Sequence, residues 1–264
     1  MIRDILGLPG CYVDNPQKTS IILQHAAKIA GNYYNVPDYD YIDKYSSREE
    51  LNIVYTSKEF QWFGEVFDSS FRFVGPSICP RNDSSGFSWD TVDREKLIYI
   101  SLGTLIHDFS FYYICFEAFG ATDKQVILNI GNLNIEKLVN VPKNFIVRNF
   151  VPQLEILKRA AVFITHGGMN SVNEAMYFNV PVIVIPHEKD QFIVADRITE
   201  LGVGIKLKNG EFNARELFEA SETVLTGQSF RTQAQIIGES LRNAGGYQRA
   251  VDEIFCFKEQ FGIN

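Results

Sequence analysis

Phe163-Ile164-Thr165-His166-Gly167-Gly168-Met169-Asn170-Ser171-Val172-Asn173-Glu174 reads as strand, tight turn and helix. Val162 to Ile164 are apolar and mostly β-prone, two glycines follow His166, and Asn170 to Phe178 are helix-compatible with Ala175 and Met176 inside. The chain must turn sharply onto a helix N-terminus. Such an end presents backbone N–H groups without intrahelical partners, and the macrodipole adds about half a positive charge, so it suits a phosphate. Asn170 and Ser171 add side-chain donors there. Glu174 lies four residues after Asn170, on the same helix face one turn deeper, where a carboxylate can accept from sugar hydroxyls. Glycine at such a corner also has a plain explanation in its ease at φ > 0, and a lone histidine there suits a packed, hydrogen-bonded ring. The flanking sequence separates these readings.

Outward from this stretch the rhythm is regular. Strands are expected at 97–100, 126–129, 145–147, 162–164, 182–185 and 204–207, with helices at 109–119, 154–160, 170–178 and 191–201 between them. Alternating helices and near-continuous apolar strands indicate an α/β domain with a parallel, doubly wound, Rossmann-like sheet. From Asn213 two or three helices follow, broken at Gly227 and Gly245-Gly246. Phe109, Tyr112, Tyr113, Phe116 and Phe119 form an aromatic stripe at helical spacing that core packing explains.

Upstream, residues 1–17 hold breakers and no motif, and Lys18 to Tyr34 have the periodicity of an amphipathic helix. His25 belongs on or beside its apolar face, as a core histidine. Asp38-Tyr39-Asp40 spells a D-x-D that could hold a divalent metal, but nothing adjacent resembles a nucleotide site. Strands are expected at 51–55 and 71–74, ending at Gly75-Pro76, and the polar, turn-rich stretch 77–93 reads as a linker.

Composition bounds the function. The 264 residues, 45% hydrophobic and 22% charged, fit a globular chain of one large or two modest domains. A net charge of −7 argues against a nucleic-acid backbone or an anionic membrane as main partner. Cys11, Cys79, Cys115 and Cys256 are scattered without C-x-x-C spacing, which fits neither zinc nor a disulfide framework and reads as free thiols in a reducing cytoplasm. No apolar run is long enough to span a bilayer, and the start lacks a signal peptide's apolar region, so a cytoplasmic protein is expected.

In an open α/β sheet, ligands bind beyond the carboxyl ends of the strands. Four such loops carry polar or glycine-rich sequence: Ser101-Leu102-Gly103-Thr104, Asn149-Phe150-Val151-Pro152-Gln153, His166-Gly167-Gly168 and Pro186 to Gln191. In order and spacing these resemble the donor-binding signature of the UDP-dependent glycosyltransferases of the GT-B fold, in particular bacterial macrolide-glycosyltransferase-like members. The resemblance covers about Asn52 to Leu207. It implies that Phe150, where the family commonly has Trp, stacks on uracil, and that Val151 meets the base edge through its backbone. It implies further that His166, Gly168, Asn170 and Ser171 hold the diphosphate, approached by Gly103 and Thr104 from the other side. Glu174 then takes the ribose hydroxyls, and Asp190 with Gln191 the transferred sugar, with Gln153 and Gly167 in the same donor site. Asp190 could instead simply cap the following helix.

The resemblance also implies an inverting, metal-independent transfer of a hexose from a UDP-sugar to a hydroxyl of a small acceptor such as a macrolide or phenolic, with no cofactor beyond the donor. Residues 1–76 would be the remnant of an acceptor-binding domain, 77–93 a linker and 94–264 the donor domain. The family's early catalytic histidine and its aspartate have no counterpart here, and His107 and His187 are the substitutes nearest the expected cleft. A non-catalytic UDP-sugar-binding half, needing a separate acceptor domain, is the alternative. A dinucleotide-dependent Rossmann protein is disfavoured because no G-x-G-x-x-G follows the first strand of the domain. An incomplete first region would expose strand edges or apolar surface, favouring self-association or a partner that supplies the acceptor domain.

Overall fold

The computed structural model describes residues 49–79, 97–103, 106, 108–188 and 190–262. The helix expected over 18–34 with His25, Asp38-Tyr39-Asp40, most of the linker, Thr104 and His107 lie outside the described residues.

Six parallel strands form the main sheet: β3 (Leu97–Ser101), β4 (Gln125–Asn129), β5 (Phe145–Arg148), β6 (Val162–Thr165), β7 (Val182–Val184) and β8 (Gly204–Lys206). Two earlier strands, β1 (Asn52–Val54) and β2 (Phe71–Phe73), pair in parallel by themselves. The helices are α1 (Phe109–Phe119), α2 (Gln153–Leu157), α3 (Met169–Tyr177), α4 (Gln191–Glu200), α5 (Ala214–Thr226), α6 (Gln228–Asn243) and α7 (Gly246–Phe261). The strand order β5-β4-β3-β6-β7-β8 runs outward from β3 in one direction and then resumes at β6 on its other side. The topological switch therefore lies between β3 and β6.

The pleat explains how one strand serves two cores. All five residues of β3 are buried. Ile98 and Ile100 join the face packed by α1 and α5, whereas Leu97 and Tyr99 join the face packed by α3, α4 and α6, as a period of two requires. Register sets Tyr99 opposite Phe163, and their rings stack at 4.7 Å and 11°.

Strand and helix limits mostly fall within a residue or two of those the sequence predicts. α2 ends earlier, at Leu157 rather than Ala160, because Ala161 N–H must donate to the Leu97 carbonyl (2.8 Å) and so needs an extended chain. The aromatic stripe of α1 also differs in part. Tyr112, Phe116 and Phe119 are buried, but the inward face is completed by Phe111 and Cys115, and Tyr113 is exposed. Asp108, accepting from Phe111 N–H at 3.1 Å, caps this helix and sets its rotation. A capping box between Asn213 and Glu216 starts α5 in the same manner.

The small β1–β2 unit is fastened to the main domain by polar contacts. Asn173 of α3, 1% exposed, donates to the Tyr55 carbonyl (3.0 Å) and accepts from Thr56 Oγ1 (3.1 Å). Arg197 of α4 donates to the carbonyls of Phe60 and Glu59, both at 2.7 Å. At the far end of the chain, α7 returns to β2 through Gly246 N–H to the Val74 carbonyl (2.5 Å) and an Arg72–Glu253 ion pair (2.7 Å).

α3 and α6 touch so closely that a glycine is needed. A Cβ on Gly238 would lie 2.3 Å from the Met176 carbonyl oxygen and 2.3 Å from Asn179 Oδ1. Alanine at a helix interior gains about 0.5–1 kcal/mol over glycine, but overpacking a tight contact costs about 1–3 kcal/mol. Gly238→Ala is therefore expected to lower the urea midpoint. A midpoint equal to or above that of the parent would show slack between the two helices.

Candidate functional site

The switch point brings the carboxyl ends of β3 and β6 side by side, and a cavity of about 510 Å³ opens there. Of the residues singled out by sequence, its wall holds Gly103, Phe150, Val151, Gln153, His166, Gly168, Asn170, Ser171, Asp190 and Gln191. Ser101, Asn129, Met169 and Glu188 also face it. Asn129 was missed by sequence reasoning; the signal was available in a polar residue ending an apolar strand beside β3.

α3 begins at Gly168 in extended conformation, with no side chain capping its first turn. The N–H groups of that turn thus face the cavity end of the helix without side-chain competition. The turn before it depends on Gly167, at φ 90°, where a Cβ would strike the Val184 side chain at 2.6 Å. Gly167 shapes the turn without lining the cavity.

His166 fits between two glycines. A Cβ on Gly103 would approach its Cε1 to 2.8 Å, and a Cβ on Gly168 its Nε2 to 2.6 Å. Burial is the main reason its pKa falls below the ordinary histidine value; His187 nearby adds to the fall and Asp190 opposes it. The ring is therefore neutral at pH 7, with Nδ1 buried and without a protein partner.

Glu174 lies under the cavity rim rather than on the same wall, facing a neighbouring hollow beside Tyr55 and Cys79. It reaches the site through Gln153, whose Nε2 donates to Glu174 Oε2 (2.6 Å) and to Ser171 Oγ (3.3 Å). Gln153 Oε1 in turn accepts from Tyr99 Oη at 2.9 Å. Phe150 stands 64% exposed at the mouth, an uncommitted flat ring.

Asp190 precedes α4 but its side chain makes no capping bond. Its place on the cavity wall thus has no explanation in capping. Gln191 is 8% exposed, and its Oε1 accepts from the backbone N–H groups of His187 (2.9 Å) and Glu188 (3.1 Å), so its carbonyl end holds the loop. His187 is off the cavity wall: its Nδ1 meets the Ile185 carbonyl at 2.8 Å and its Nε2 is buried without a partner.

A larger crevice of about 830 Å³ lies between β2, α6 and α7. There Arg72 and Arg249 both pair with Glu253, and none of the residues singled out by sequence lines it. Among the described residues no cluster of three or more His, Cys, Asp or Glu could hold a metal ion, and no helix is long and apolar enough to cross a membrane.

Comparison with known proteins agrees with this geometry. Residues 114–245 match the family described as erythromycin biosynthesis protein CIII-like, C-terminal domain. The chain is 42% identical over 214 residues to the uncharacterized UDP-glucosyltransferase YojK of Bacillus subtilis, covering 80% of this chain and 53% of the relative. It is 40% identical over 217 residues to the NDP-glycosyltransferase YjiC of the same organism, covering 81% and 55%. The crystal structure of the calicheamicin glycosyltransferase CalG4 superposes with a TM-score of 0.77 at 26% identity, over 98% of this chain and 63% of that one. The chain spans about half the length of the curated relatives it matches. With a doubly wound sheet, an open helix N-terminus at its switch point and a domain model matching half its length, the chain belongs to the erythromycin biosynthesis protein CIII-like, C-terminal domain family, among the macrolide-glycosyltransferase-like proteins of the GT-B fold.

Proposed function

We propose that this chain is the donor half of a glycosyltransferase that moves a hexose from a UDP-sugar to the hydroxyl of a small acceptor. The observation that carries the reading is the uncapped N-terminus of α3 opening beside His166 and the exposed ring of Phe150 in one cavity. Phe150 serves as the platform for the base, with the Val151 backbone at its edge. The first turn of α3, with Asn170, Ser171 and His166, takes the diphosphate. Glu174 and Gln153 take the ribose hydroxyls, and Asp190 takes the sugar, assisted by the amide of Gln191.

As the bond to the sugar breaks, negative charge grows on the leaving diphosphate. Fixed N–H groups aimed at that charge stabilise it without a metal, and removal of one such donor costs about 100- to 1000-fold in rate in comparable sites. No residue of this cavity wall is assigned the proton removal from the acceptor, and His187, with Nδ1 on the Ile185 carbonyl, lies off that wall. Free thiols at Cys79, Cys115 and Cys256 suit a reducing cytoplasm. The exposed apolar side chains of α7, Tyr247, Val251, Ile254, Phe255 and Phe261, support self-association or a partner domain.

Calorimetric titration with UDP and UDP-glucose, followed by UDP-release assays with phenolic and macrolide acceptors, tests the reading. Binding with release is the expected result; binding without release would indicate the non-catalytic half, and no binding would remove the site assignment. Phe150→Ala is expected to weaken UDP by about 1–3 kcal/mol, the usual worth of base stacking on an aromatic ring, with the urea midpoint unchanged because the ring is exposed. Unaltered affinity would take the base elsewhere.

A pH dependence follows from His166. In the folded chain the ring stays neutral below the usual pKa of about 6.5, whereas the unfolded chain takes up the proton there. The unfolded state then binds more protons, so stability is full above that value and falls as pH drops through it toward the lower folded pKa. A bound diphosphate pulls the other way, favouring the charged ring. UDP affinity should therefore rise from about pH 8 to pH 6 by more in the parent than in His166→Asn. Parallel pH profiles would separate His166 from the diphosphate.

A further inference from the structure

Below the cavity, the order of donors in one hydrogen-bond chain is fixed by its last member. Glu174 is 6% exposed, and its Oε2 accepts from the Gln153 amide nitrogen at 2.6 Å. That turns the amide oxygen toward Tyr99, so the phenol at 2.9 Å must donate. Tyr99 cannot move to escape this duty. It is fully buried in β3, and its ring is stacked on Phe163 of β6.

We infer that Tyr99 is a positioning residue that sets the preference of this site for a ribose over a 2′-deoxyribose nucleotide, acting through the Gln153 amide on Glu174. The inference rests on the proposed reading that Gln153 and Glu174 meet the ribose hydroxyls. Tyr99 touches no part of the cavity itself. Without its O–H, the Gln153 oxygen is left without its donor and the amide loses the anchor on that side. Held then only through its nitrogen by Glu174 and Ser171, it can tilt away from the place where the pair should meet the diol.

A further observation supports this role. Burial pushes the Tyr99 pKa up to about 12, so the phenol keeps the proton it must donate across the physiological range. The nearby side chains of Asn129 and Ser101 oppose that rise without cancelling it, and both residues line the cavity.

The test is calorimetric titration of the full chain with UDP and with 2′-deoxy-UDP, in the parent and in Tyr99→Phe. The parent is expected to favour UDP, and Tyr99→Phe to lose about fivefold of that preference, the size of one neutral hydrogen bond. Should Tyr99→Phe unfold, Gln153→Met with Tyr99 retained is expected to show at least that loss, since it also removes the amide that meets the diol. In a folded double variant, Tyr99→Phe should add nothing to Gln153→Met. Equal weakening of both nucleotides with the ratio intact would reduce Tyr99 to a structural residue and overturn the inference, as would an additional loss of preference in the double variant. A parent that binds neither nucleotide would instead overturn the assignment of the site itself.

Discussion

The parallel pairing of β3 with β6 is the constraint on which the rest of the molecule depends. These strands are separated by two others in sequence but adjacent in space, and their junction is where the chain reverses its order of winding. Crossing there places the Ser101–Gly103 loop beside the His166–Gly168 loop. It also places Tyr99 against Phe163, which anchors the polar chain to Glu174. A slip of one residue would exchange the two faces of the strand, sending Tyr99 toward α1 and breaking that chain.

The alternation of strands and helices was legible because each strand is buried on both faces and reads as an unbroken apolar run. The four loops of the site were legible for a related reason: glycine and polar residues interrupt those runs at one edge only. What stayed hidden depends on partners distant in sequence. Nothing in residues 145–160 foretells that α2 must stop early for Ala161 to reach Leu97. Nothing local shows that Phe111, rather than Tyr113, turns inward on α1. Gln191 was expected among the sugar ligands with Asp190, yet its carbonyl bonds the loop at residues 187 and 188, a contact that periodicity cannot show. Tyr99 was invisible for the opposite reason, since it looked like one more apolar strand residue.

α3 is bound on both of its faces. Its first turn and Glu174 serve the cavity region, while Asn173, between them in sequence, holds the segment after β1. Buried amide bonds of this type cost more when half-made than they contribute when whole, so the β1–β2 unit and the helix resist separation. Arg197 repeats the arrangement one helix later, with two carbonyls of the same segment.

The close fit of His166 between Gly103 and Gly168 has a consequence for how this loop pair can change over time. Neither glycine can take on a Cβ without displacing the imidazole, so the ring spaces two loops drawn from separate stretches of the chain. A substitution at either glycine would have to be matched by one at residue 166, whereas Gly167, in the same turn, answers to Val184 instead.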